Sequence, residues 1–144
     1  MSEVRIHHIS LTCQNPIAVE RFYTKHFGFT RARVVPIGDT QIVFLRGPGI
    51  YLELFQATEE APITPPEGDG YSWPSVRNIS FEVEDVDAKL TVMGDEANIT
   101  FGPRSFDEFI PGWRSAWLRD PEGNIIQITH GYVDQENPPP LDPS

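Results

Sequence analysis

Apolar residues recur along this chain with two different periods, and the changes of period mark out its elements. Over residues 6–13 a strand is predicted, with Ile9, Leu11 and Cys13 on one face and His8, Ser10 and Thr12 on the other. From Pro16 to Phe27 the spacing lengthens, and Val19, Phe22, Tyr23 and Phe27 fall on one side of a predicted helix. Asn15 is placed to cap it, Pro16 suits its first position, and Gly28 stops it. Strands are predicted near residues 30–35, 41–46 and 51–56. A fifth strand near 78–83 leads into a helix capped by Asp85, with Val86, Leu90 and Met93 on one face. Three more strands follow near 98–102, 115–119 and 124–129.

The order of elements repeats because the sequence repeats. HISLTCQNPIA (8–18) lies over NISFEVEDVDA (78–88) at an offset of 78 − 8 = 70, matching Ile9 with Ile79, Ser10 with Ser80 and Ala18 with Ala88. Further on, Leu45-Arg46 and Pro48 match Leu118-Arg119 and Pro121 at 118 − 45 = 73. One extra residue in the second turn then sets Glu53 on Gln127, at 127 − 53 = 74. Two matched segments in the same order indicate one supersecondary unit used twice. The predicted class is α+β: two βαβββ modules forming a curved mixed sheet that encloses a cleft, with helices on the outer face. The first module is assigned to residues 1–57 and a Pro- and Glu-rich linker to 58–75. The second module takes 76–131, and 132–144 is read as a mobile tail.

Sorting the strands by alternation gives each a core face and a polar face. The polar faces collect His8, Glu53, Asn78 and Gln127, together with Ser10, Tyr51, Phe55 and Ile125. A face turned to water would carry few residues like Tyr51, Phe55 and Ile125, so a mixed polar and apolar cleft is the expected reading.

Charge and composition narrow the partners. The formal net charge of −10 argues against nucleic acid and anionic membranes. Apolar runs are short, as in residues 42–45, so no membrane span is expected, and the N-terminus lacks the apolar core of an export signal. A cytoplasmic location follows as the expectation. The single cysteine, Cys13, excludes an internal disulfide and reads as a small buried thiol.

The motifs HHISLTCQN, AVERFYTKHFGF, NISFEVEDVDA and WLRDPEGNIIQI make the chain resemble the vicinal oxygen chelate superfamily, the glyoxalase, bleomycin-resistance and extradiol-dioxygenase group. The resemblance runs to about His130 and rests on Phe22-Tyr23, Gly28-Phe29 and the turn from Asp120 to Asn124. It implies one metal ligand from each of four strands, at His8, Glu53, Asn78 and Gln127. Asn78 stands where such proteins carry His, and Gln127 where they carry Glu. An amide oxygen is a neutral, weaker ligand than imidazole or carboxylate. The implied cofactor is therefore at most one weakly bound divalent ion (Zn, Ni, Mn, Mg or Fe), held by His8, Glu53 and Gln127. Iron-dependent ring cleavage is disfavoured, because the second His is missing.

Two functions remain open from the resemblance. One is a protein that binds a small organic molecule through Asn78, Gln127, Tyr51, Phe55, Ser10 and Trp113, with a degenerate metal site. The other is a glyoxalase-like lyase, isomerase or epimerase with Glu53 and His8 as its catalytic pair. A homodimer is implied in either case. Remaining candidates have structural expectations. His7 is expected on the face opposite His8, His130 on the face opposite Gln127, and His26 at the negative end of its helix. Trp113, Arg114 and Trp117 are expected to pack in the core or, second, to line the pocket. Arg104 and Phe106 are placed in a loop, and Asp120 and Asn124 in a shaping role at their turn.

Overall fold

The protein is described here by a computed structural model covering residues 3–142. Among these residues eight strands form two four-stranded mixed sheets, accompanied by two α-helices. Two compact units result: residues up to Pro66 with Arg119–Asn124, and Glu67–Leu118 with the residues from Ile125 onward.

The first unit holds β1 (His8–Cys13), α1 (Pro16–Phe27), β2 (Thr30–Ile37), β3 (Thr40–Arg46) and β4 (Tyr51–Gln56). Its sheet runs β1-β4-β3-β2, with β1 parallel to β4 and the other pairs antiparallel. That order follows from the chain: a helical crossover is what allows β1 and β4 to lie parallel, while short turns keep β2, β3 and β4 antiparallel. The Asn15 side chain accepts from the Ala18 backbone N–H, Pro16 opens α1, and Gly28 ends it at φ 73°. Val19, Phe22, Tyr23 and Phe27 of the helix are buried, as are Cys13, Val43, Leu45, Leu52 and Leu54 of the sheet. Each such side chain contributes about 1.5–3 kcal/mol by leaving water.

The second unit repeats the plan. It contains β5 (Ile79–Glu82), α2 (Val86–Met93), β6 (Asn98–Ser105), β7 (Arg114–Arg119) and β8 (Ile125–His130), in the order β5-β8-β7-β6. Asp85 caps α2 through Ala88 N–H. The core gathers Val86 and Met93 of the helix with Ala116, Leu118, Ile126 and Ile128 of the sheet. No helix among the described residues is long and apolar enough to cross a membrane.

A core face on every strand was the expectation, and it fails at β2 and β6, neither of which has a buried residue. Both are edge strands, and the helices pack on the other strands. Helix α2 is also shorter than α1, at 8 residues against 12, and leaves Leu90 half-buried.

Several side chains sit differently from their expected places. His26 lies in the last turn of α1 as expected, but it is buried, 5% exposed, with its ring edge-on to Phe22 at 5.3 Å. Arg104 lies within β6, with its guanidinium 5.1 Å from the centre of the Phe106 ring, rather than in a loop. Arg114 does not join the core. It makes a forked pair with Asp87, Nε to Oδ2 at 2.7 Å and Nη2 to Oδ1 at 3.0 Å, and donates through Nη1 to Ser105.

The fork has a pH signature. Hydrogen bonding from Arg114 holds the Asp87 carboxyl below its ordinary value of 3.8. A depressed carboxylate contributes stability above its unfolded pKa and loses it as pH falls through the folded one. Asp87→Asn is therefore expected to lower the urea midpoint at pH 7, and the gap to the unchanged protein should narrow as pH falls below the ordinary carboxylate range. A gap as wide at pH 3 as at pH 7 would assign the effect to something other than ionisation.

Candidate functional site

In the first unit the cross-strand register lines up the polar face in rows. His8 lies beside Tyr51, and Tyr51 beside Arg46. In the next row Ser10 lies beside Glu53, Glu53 beside Phe44, and Phe44 beside Arg33. Thr12 and Phe55 pair in the row beyond. Neighbours within a row project from the same face.

Glu53 is the centre of this face. Its side chain is 14% exposed; Oε1 accepts from the Ser10 hydroxyl at 2.6 Å, and His8 Nε2 lies 3.2 Å from the same oxygen. Oε2 has no hydrogen-bond partner among the described residues. His8 Nδ1 in turn lies 2.9 Å from His7 Nδ1, so one of the two rings donates to the other. Phe44 meets the His8 ring edge-on at 5.8 Å, and Tyr51 stacks on His7 at 4.8 Å.

This placement corrects the reading of His7. The residue precedes β1, and its ring reaches Tyr51 and His8 on the polar face instead of the opposite one. Strand alternation does not govern a residue outside the strand.

In the second unit, Gln127 donates through Nε2 to Ser115 Oγ at 3.0 Å, and Ser115 Oγ lies 2.7 Å from Thr129 Oγ1. Trp113 Nε1 donates to the same Thr129 hydroxyl at 2.9 Å. Trp113 is half-buried and packs on Phe106 at 5.2 Å, while Trp117 is buried against Phe101 and Phe106. The indole N–H of Trp117 has no hydrogen-bond partner among the described residues. Asn78 stands one residue before β5 and is half-buried. His130 Nδ1 accepts from the Val86 backbone N–H at 2.9 Å, so it helps cap α2.

These donors make a poor metal set. Among the described residues no group of three or more His, Cys, Asp or Glu side chains could hold an ion. In the first unit Glu53 supplies the one carboxylate beside His8, and its Oε1 is already shared by two donors. Gln127 has its amide nitrogen committed to Ser115. The thiol of Cys13 is fully buried, and burial, with the charges of Glu122 and Asp120, pushes it up to about 12. It is not a nucleophile near neutral pH.

Arg33, Phe44 and Arg46 were not among the expected site residues, although alternation along β2 and β3 carries the signal for them. Ser115 was also overlooked, its role visible only once β7 and β8 are paired.

The description that fits this fold is confirmed by comparison. The profile of the glyoxalase/bleomycin resistance protein/dioxygenase superfamily matches residues 5–128, and the chain belongs to that superfamily. A glyoxalase/dioxygenase from Nostoc punctiforme has a similar crystal structure, with 25% identity, a TM-score of 0.67, and coverage of 87% of this chain and 89% of that one. The crystal structure of SMU.1112c is similar at 26% identity and a TM-score of 0.63, covering 90% of this chain and all 100% of the other. A glyoxylase/bleomycin resistance protein/dioxygenase domain from Frankia sp. EAN1pec shares the fold at 18% identity and a TM-score of 0.64, over 93% of this chain and 96% of that one. No curated protein matches.

Proposed function

We propose that this protein binds a small organic molecule, with Glu53 as the hydrogen-bond acceptor that anchors it and the metal site of its superfamily in degenerate form. The observation that supports this reading is the state of Glu53. It is a largely buried carboxylate with one oxygen occupied by His8 and Ser10, the other without a partner, and Phe44 as its cross-strand neighbour. Such a carboxylate suits a ligand that brings a hydroxyl or amine donor on an aromatic or apolar body. Tyr51 and Phe55 are proposed as contacts beside it. Asn78, Gln127 and Trp113 are proposed as contacts on the second module. A homodimer and a cytoplasmic location belong to the same proposal.

The test uses chelator-treated protein and a panel of phenolic compounds and bleomycin, read by thermal shift and tryptophan fluorescence. Binding is expected without added metal, and Glu53→Gln is expected to weaken it about tenfold, the loss of a hydrogen bond to a charged group. Protein that purifies with one tightly held divalent ion, or Glu53→Gln binding as well as the unchanged chain, would overturn the proposal. Turnover of 2-oxoaldehyde–thiol adducts by Zn-, Ni- or Mn-loaded protein would establish the glyoxalase-like alternative instead.

A further inference from the structure

The first unit has a hollow of about 290 Å³ at the start of β1 and the turn joining β3 to β4. Its wall includes Arg5, His7, Arg46, Gly47, Gly49 and Tyr51, and no acidic residue lines it. Arg46 is the cross-strand neighbour of Tyr51, and the Tyr51 ring is stacked on His7, so these three side chains are held side by side. Arg31, Arg77, Arg104 and Arg114 are each ion-paired with a carboxylate. Neither Arg5 nor Arg46 has a partner among the described residues. Arg21, Arg33 and Arg119 also lack a carboxylate partner among the described residues, but of these five Arg5 and Arg46 are the two that line this hollow.

We infer that this hollow is an oxyanion site, taking a carboxylate or phosphoryl group through the guanidinium forks of Arg5 and Arg46. Arginine's planar donors match both groups, and two uncompensated cations supply the attraction that the rest of the surface opposes. Gly49, with open space around its Cα, keeps that part of the rim free of a side chain. Tyr51 borders both this hollow and the face of Glu53, but the two proposals are tested apart, because an inorganic anion alone tests this one.

The experiment is a titration of 15N-labelled protein with inorganic phosphate and, separately, acetate at constant ionic strength. Saturable shifts are expected at the amides of Gly47, Gly49 and Tyr51. Arg5→Gln and Arg46→Gln should each weaken binding about tenfold, and Arg46→Lys should fall between, since it keeps the charge without the fork. Both arginines are exposed, so the variants are expected to keep the shift pattern of the folded chain elsewhere. Tighter phosphate binding assigns the hollow to a phosphoryl group, and tighter acetate binding to a carboxylate. Shifts that stay linear for both anions into the tens of millimolar, or affinity unchanged in the double variant, would overturn the inference.

Discussion

Asp120→Ala is expected to lower stability by about 3 kcal/mol at neutral pH, with the urea midpoint falling and the slope unchanged. Asp120 is 4% exposed and accepts four hydrogen bonds. Its Oδ1 takes the backbone N–H groups of Glu122 and Asn124, each at 2.9 Å. Its Oδ2 takes the Tyr23 hydroxyl at 2.7 Å and the Asn124 amide at 2.9 Å. Alanine removes the acceptor of all four donors, and Tyr23 is fully buried, so its hydroxyl loses this partner without gaining water. The acid range gives a second reading. Burial outweighs the hydrogen bonds and raises the Asp120 carboxyl above its ordinary 3.8. A raised carboxyl contributes most below its unfolded pKa and loses that share as pH rises through the folded one. The deficit of the alanine variant should therefore be larger at about pH 3.5 than at pH 7. A loss under about 1 kcal/mol at both would mean that these hydrogen bonds do not act as a network.

Gly131→Ala is the second large effect, again about 3 kcal/mol, or roughly 10 °C in melting temperature for a chain of this size. Gly131 has φ 87°, where a Cβ costs about 1 kcal/mol or more. The added carbon would also collide with the backbone carbonyl of Gly112 and lie 3.1 Å from the Trp113 nitrogen. Backbone atoms cannot step aside as a flexible side chain can. The segment that must move carries Trp113, whose carbonyl accepts from Phe106 N–H at 2.7 Å. Gly38→Ala separates the two costs, since Gly38 has φ 58° with open space around it. Its loss should stay near 1 kcal/mol. Equal losses in the two variants would show that the Gly112 contact relaxes without cost.

The strands and helices were legible because local chemistry and pattern agree. Pro16 and Gly28 bound α1 where they were expected to, and β4 runs from Tyr51 to Gln56 as alternation indicates. The internal repeat carried the topology, since a βαβββ unit met twice leaves few ways to order its strands. At the site, the polar faces of β1 and β4 could be read from parity, and the register brings His8, Ser10 and Glu53 together. His7 could not be read so, because it lies outside the strand. Edge exposure escaped as well: β2 contains Val34, Val35 and Ile37, and nothing in those residues says that no helix will cover them. The Tyr23–Asp120 contact joins residues 97 positions apart and has no local signature.

That contact bears on how a duplicated chain can be divided. The turn Arg119–Asn124 is grouped with the first half of the sequence, where Asp120 meets Tyr23 and Glu122 receives the Asn15 backbone N–H at 2.7 Å. A half-length ancestor of such a protein would have needed another source for those acceptors, such as the same turn from a sister chain. Fusion of the two copies makes that loan permanent, and the repeats, alike in plan, are no longer interchangeable.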